Sequence, residues 1–251
     1  VIGTFDRHGT PGGALVIAVH GAVANRKTWL PLVSRLPDGI ELWCADLPGH
    51  GDRRAEPFAL ASALAAIDAL VAEAGSRHVI VAGDSLGGYL ALAVAARGNS
   101  RIAGVVAGGC SWSMTGWRGM LARASDLPPR AIEAIVGSAR VEALASALLP
   151  RVTDAPTARA IVDGGLRVRA RSESLRELAG IDVVALARAI DTPIAIVNGI
   201  FDWPTRAQEG AMLRAARDAT LVLGRSGHGV GFLAPQTFAD AIADVVARAS
   251  R

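Results

Sequence analysis

The sequence predicts an α/β fold, a mostly parallel doubly wound sheet carrying a block of helices after its fourth parallel strand. Three observations predict it. Short β-rich runs alternate with longer Ala/Leu-rich runs at helical spacing, the strand runs are almost continuously apolar, and residues 111–180 break the alternation with helical patterns alone. A chain of 251 residues is long enough for one large fold with an insertion.

Taken in order, residues 1–5 read as a leading edge strand, and 14–20 as the first strand buried on both faces. A helix is expected over 28–36, a strand over 41–45 and a helix over 58–74. The run 78–82 is the third buried strand and leads into a helix over 86–96; 102–108 is the fourth. Successive apolar residues, rather than alternating ones, are what strands covered on both faces of a parallel sheet require. After the interruption the alternation resumes with a helix over 183–189, a strand over 193–198 and a helix over 205–216. A strand over 220–223 and a helix over 235–248 complete it. The expected division is a core of residues 1–110 and 181–251 with an inserted helical cap, 111–180.

Composition narrows the class. Hydrophobic residues are 51% of the chain and charged residues 20%, which excludes disorder, and no apolar run reaches the ~20 uninterrupted residues of a membrane span. A net charge of +3 with 4% aromatic residues gives no nucleic-acid footprint. Cys44 and Cys110, both in stretches that read as strands, are expected to be buried free thiols. No targeting segment is evident and a cytoplasmic location is expected, although a chain that begins at Val1 leaves open whether a segment precedes it.

The sharpest local signal is Val79-Ile-Val-Ala-Gly-Asp-Ser85-Leu-Gly-Gly88, a strand that runs through Gly-x-Ser-x-Gly into a helix. Small residues at 83 and 87 permit a tight turn that holds Ser85 strained, its hydroxyl above the sheet edge. A serine hydroxyl needs an imidazole base, and the imidazole needs a carboxylate to fix its tautomer. His228 lies in the glycine-rich loop after the last strand, at the same sheet edge; His20 and His50 belong to glycine turns. Asp202 follows the strand 193–198 and is the acid expected, its competing role being to cap the helix that Trp203-Pro204-Thr205 starts. Asp84 is expected to point away from the imidazole. The backbone N–H groups of Leu86 and Ala22 are the expected oxyanion donors. With the histidines dispersed and the cysteines far apart, neither a metal nor another cofactor is expected.

These residues resemble the α/β-hydrolase superfamily: the His20-Gly21 turn, Asp46-Leu-Pro-Gly-His-Gly51, the elbow around Ser85, the turn from Gly199 to Asp202, and Gly227-His228. The resemblance runs over residues 14–248 and implies the α/β-hydrolase fold with a Ser85, Asp202, His228 triad. It implies a small-molecule carboxylic ester, lactone or thioester as substrate, cleaved through an acyl-enzyme. A lyase resembling the menaquinone-pathway synthase, or a carbon–carbon bond hydrolase, would use the same triad. Serine at the elbow argues against the dehalogenase and epoxide hydrolase branches, which place Asp there. Some members of the superfamily are non-catalytic receptors; an intact set of three favours an enzyme.

Trp112, Met114, Trp117 and Trp203 are candidates for an apolar substrate pocket. The inserted segment holds ten arginines against seven acids, so the whole net charge of the chain resides there. Some of these arginines are expected to favour an anionic substrate. Arg167, Arg169 and Arg171, spaced two apart on a helix, cannot all converge on one ligand.

Overall fold

The computed structural model describes residues 4–251. Seven strands, β1 (Phe5–Gly9), β2 (Ala14–Val19), β3 (Ile40–Ala45), β4 (Val79–Asp84), β5 (Ile102–Gly108), β6 (Ile194–Gly199) and β7 (Ala219–Gly224), form one sheet in the order β1-β3-β2-β4-β5-β6-β7. β1 pairs antiparallel with β3 and every other pairing is parallel. The expected edge strand over 1–5 therefore starts later, at Phe5, and residues 1–3 lie outside the described residues.

Twelve helices accompany the sheet among the described residues: α1 (Leu30–Val33), α2 (Leu60–Glu73), α3 (Leu86–Ala95), α4 (Gly116–Ala124), α5 (Leu127–Val136), α6 (Ser138–Leu148), α7 (Ala155–Asp163), α8 (Ala170–Glu177), α9 (Val183–Ala189), α10 (Glu209–Ala215), α11 (Val230–Leu233) and α12 (Pro235–Ala249). Because side chains alternate along a strand, Leu15, Ile17 and Val19 of β2 belong to the same apolar core as Ile67, Leu90, Val183 and Met212, while Val16 and Ala18 belong to the one that holds Leu32, Val230, Phe238 and Ile242. Helices thus cover both faces, which is why the strands read as unbroken apolar runs.

Two expected helices are shorter than their patterns. Over 28–36, Asn25 accepts the Lys27 N–H and starts a 3-10 turn, Arg26–Trp29, before the single α-turn of α1; Pro37 keeps the residue before it out of helical geometry. Over 205–216, the chain splits into a 3-10 turn, Trp203–Arg206, and α10, because Gln208 is drawn aside. Its N–H donates to the Ser111 carbonyl (3.0 Å) and its side chain accepts the Ser113 N–H (2.7 Å). Cys110 lies just past the end of β5 rather than in it; Cys44 is in β3, and both are buried free thiols raised by burial above the usual thiol range.

Helices α4 to α8 all lie between β5 and β6. Chain entry and return are tied at one neck, where Met114 N–H donates to Ile181 O (2.7 Å) and Gly180 N–H to Met114 O (3.0 Å). From β2 the chain steps to β3 on one side and then to β4 on the other, so the carboxyl ends of β2 and β4 flank the point where the strand order reverses. Open α/β sheets form their ligand crevice at that point.

Candidate active site

At that crevice the turn from β4 into α3 is as tight as its glycines allow. Ser85 has φ 55° and ψ −116°, and among the described residues it alone has a positive φ without being glycine. The strain is held from both sides: Ser85 N–H donates to Gly108 O (2.8 Å), while Ser85 O accepts from Gly88 N–H (2.9 Å) and Tyr89 N–H (3.2 Å). Room for this turn depends on bare backbone, since a Cβ on Gly88 would stand 2.6 Å from Gly108 O and 2.8 Å from Cys110 Sγ.

His228 reaches the serine from the loop after β7. Its Nε2 lies 2.8 Å from Ser85 Oγ and its Nδ1 2.8 Å from Asp202 Oδ2. A carboxylate can only accept, so Nδ1 carries the proton and the Nε2 lone pair faces the serine hydroxyl. Asp202 is buried and its Oδ2 also takes the Thr205 hydroxyl; it caps no backbone N–H of the following turn, so the competing capping role falls away. Burial alone would lower the His228 pKa. The hydrogen bond and charge of Asp202, with the charge of Asp84 behind them, outweigh burial and the opposing Arg171, leaving it above the ordinary imidazole value.

Asp84 is buried; its Oδ2 accepts the Gly231 N–H (3.2 Å) and its Oδ1 has no partner among the described residues. Oδ1 and the His228 ring flank the same spot on Gly109: a Cβ there would lie 3.3 Å from Asp84 Oδ1 and 3.4 Å from His228 Cε1. Neither oxygen of the carboxyl hydrogen-bonds the imidazole.

The Ala22 loop and the start of α3 close the site. Both Ala22 and Leu86 line the space above Ser85, and neither N–H has a hydrogen-bond partner among the described residues. Gly21 lies against the elbow, where a Cβ on it would stand at van der Waals distance, 3.5 Å, from Ser85 Cβ. His20 and His50 serve the turns, as their glycine contexts suggest: His20 Nε2 accepts the Leu47 N–H (3.1 Å), and His50 Nε2–H donates to Ala22 O (2.7 Å). Asn25, fully buried, donates to Ile161 O (2.9 Å) and Gly165 O (3.0 Å) and so joins this loop to α7 and the turn after it.

Two cavities meet at Ser85 and His228. One, of about 230 Å³, is walled by Tyr89, Trp112, Met114, Leu175 and Leu178; the other, of about 320 Å³, by Trp29, Leu149, Ile161, Leu166 and Phe232. Of the four expected pocket residues, Trp112 and Met114 are present. Trp117 and Trp203 are not. Trp117 sits on the outer side of α4 under Arg118, 60% exposed, and Trp203 begins the turn after Asp202 with its ring in solvent, 77% exposed. Pro204 and Thr205, which no aromatic pattern flags, take the place of Trp203 in the wall.

Of the clustered arginines, Arg167 pairs with Glu173 (2.8 Å), Arg169 with Glu133 (2.6 Å) and Arg171 with Asp126 (2.7 Å), three separate partners as their spacing requires. Arg171 alone among these three borders both cavities.

Comparison with known proteins follows the same lines. A sequence profile of the Alpha/beta hydrolase family matches residues 16–241. Lipase LipV of Mycobacterium tuberculosis is 33% identical over 102 residues, 40% of this chain and 39% of that protein. A pimeloyl-[acyl-carrier protein] methyl ester esterase of Neisseria meningitidis serogroup A is 43% identical over 83 residues, 33% of this chain and 25% of its own length. The matched stretches thus span well under half of either relative. Among solved structures, MenH from S. aureus superposes with a TM-score of 0.79 at 16% identity, covering 98% of this chain and 99% of that one. The enol-lactonase from Burkholderia xenovorans LB400 gives 0.72 at 20% identity, covering 97% and 96%.

Proposed function

The chain belongs to the alpha/beta hydrolase family, and from that premise we propose that it is a serine hydrolase cleaving a small-molecule carboxylic ester, lactone or thioester through an acyl-enzyme. The observation that carries this reading is the unbroken line from Ser85 Oγ through His228 to Asp202, each link 2.8 Å, with the serine held at positive φ. In this reading Ser85 Oγ attacks the carbonyl carbon while His228 Nε2 takes its proton, and Asp202 stabilises the imidazolium. The Ala22 and Leu86 N–H groups receive the oxyanion. Collapse of the tetrahedral intermediate expels the alcohol or thiol, which takes the proton from His228. Water, deprotonated by the same imidazole, then releases the acid. Ester hydrolysis by the lipase and methyl ester esterase relatives supports the reaction class.

The two cavities point to a substrate with a sizeable apolar group on each side of the scissile bond, because both are lined mainly by apolar side chains and both open on Ser85. The test is covalent labelling with a fluorophosphonate probe together with turnover of a chromogenic ester series. Labelling of the wild type that disappears in Ser85→Ala is expected, with a rate loss of several decades. Labelling that survives in Ser85→Ala overturns the assignment.

A further inference from the structure

Helix α5 is inside out. Its apolar residues fall on one stripe, Leu127, Ile132, Ile135 and Val136, and the stripe faces solvent, with Ile135 82% exposed. Its opposite side holds Glu133, paired with Arg169 ahead of α8, so the inward contact is polar while the apolar face lies outward. Soluble amphipathic helices are built the other way round. The flanking helices extend the exposed surface, with Met120 and Leu121 on α4 and Leu144 and Leu148 on α6. Only two residues separate α4 from α5, and one separates α5 from α6.

The charges on this face have one sign. Arg123, Arg140 and Arg151 each lie three or four residues from an exposed apolar residue, Met120, Leu144 and Leu148 in that order. None of the three has an acidic partner among the described residues. Every acid of the same stretch is engaged: Asp126 with Arg171, Glu133 with Arg169, and Glu142 with the Val168 N–H (3.1 Å). A second copy of the chain docked about a two-fold axis would set arginines against arginines. An apolar surface fringed by unpaired guanidinium groups matches instead a sheet of anionic headgroups over acyl chains.

We propose that the outward face of α4, α5 and α6 docks the protein on anionic lipid bilayers, lying in the headgroup layer. No helix of the described residues is long and apolar enough to cross a membrane, so the contact is peripheral. Leu121 belongs both to this face and to the wall of the smaller cavity, and Leu149 beside Leu148 walls the larger one. An apolar compound dissolved in the bilayer would meet both cavity mouths without crossing bulk water. The surface stands on its own observations and does not depend on the chemistry at Ser85.

The experiment is vesicle flotation of the wild-type chain with pure phosphatidylcholine and with phosphatidylcholine containing one-third phosphatidylglycerol, at low and high salt, beside light scattering of the protein alone. Binding to the anionic vesicles only, weakened by salt, is expected. Ile135→Asp places a charge where no packing is lost; it should keep the wild-type circular dichroism and abolish flotation. Arg140→Ala with Arg151→Ala should weaken partitioning about twenty-five-fold, at about fivefold for each arginine near an anionic surface. Absence of flotation with anionic vesicles overturns the proposal. So does a dimer that Ile135→Asp dissociates, which would make the face an interface between copies, and so does equal binding to both lipids.

Discussion

Replacing Asp84 with Asn should make the protein more stable, and by an amount that grows with pH. Burial drives the Asp84 pKa above its ordinary value near 3.8, against the opposing charge of His228 and the Gly231 N–H. A folded-state pKa raised for an acid means that the folded chain keeps a proton the unfolded chain has released. Stability therefore falls as pH rises from the unfolded value to the folded one, and stays low beyond it. The wild type bears the cost of a buried carboxylate with one oxygen unpartnered, a penalty of roughly 1–3 kcal/mol and more when charged. Asn removes the charge and keeps an oxygen for Gly231. For a chain of 251 residues each kcal/mol moves Tm by about 2–4 °C, so a gain of about 2 kcal/mol raises Tm by about 4–8 °C at pH 8. Below about pH 4 both states hold the proton and the difference should vanish. The assay is a series of thermal melts of wild type and Asp84→Asn across pH, repeated in a His228→Ala background because Asp84 itself shifts the titration of His228. A difference that is negative at pH 8, or constant across the series, refutes the reasoning.

The remaining predictions concern the imidazole and the network beneath it. Because Asp202 and Asp84 hold the His228 pKa above the ordinary 6.5, kcat/KM for a chromogenic ester should fall on acidification with a midpoint above that value. Asp202→Asn should move the midpoint down and cut the rate roughly a thousandfold or more; an unmoved midpoint would place the controlling carboxylate elsewhere. Asn198, fully buried, accepts the Gly109 N–H (3.1 Å) and donates to Ser111 Oγ (3.0 Å) and Glu209 Oε1 (2.9 Å). Asn198→Ala leaves Ser111 Oγ without a partner, whereas Gly109 N–H keeps Val197 O (3.0 Å) and Glu209 Oε1 keeps Arg206 (2.7 Å), and should cost about 1–3 kcal/mol in urea unfolding; a loss under about 0.5 kcal/mol would mean that Ser111 re-pairs.

What the sequence discloses is whatever local chemistry decides. The turn around Ser85 is legible because glycine at 83, 87 and 88 permits only one kind of strand-to-helix junction, and the buried strands because a sheet covered on both faces leaves no polar alternation. Orientation is different, since it belongs to the partner and not to the segment. The pattern of α5 announces an apolar stripe, yet the stripe faces outward while the inward contact is a Glu133–Arg169 pair that spans 36 positions. Trp117 and Trp203 carry the composition of a pocket wall and lie outside it for the same reason. Helix 205–216 failed at Gln208, whose contacts with Ser111 and Ser113 have no trace in the local pattern.

Asn25 gives the molecule a mechanical asymmetry. Its amide fastens the loop bearing Ala22 to the carbonyls of Ile161 and Gly165, and the Arg167 N–H returns the tie by donating to Val23 O (3.2 Å). The half of the insertion that contains α7 is riveted to the wall of the crevice, whereas no residue of α5 or α6 is buried. Under the proposed mechanism, grafting a foreign helical insert onto this scaffold would cut the rivet along with the old specificity. Such a chimera would inherit new cavity walls and a slackened oxyanion loop together. Recombination that spares residues 155–171 and exchanges only α4 to α6 keeps the loop fastened, so selectivity can diverge there while the rate-determining geometry stays put.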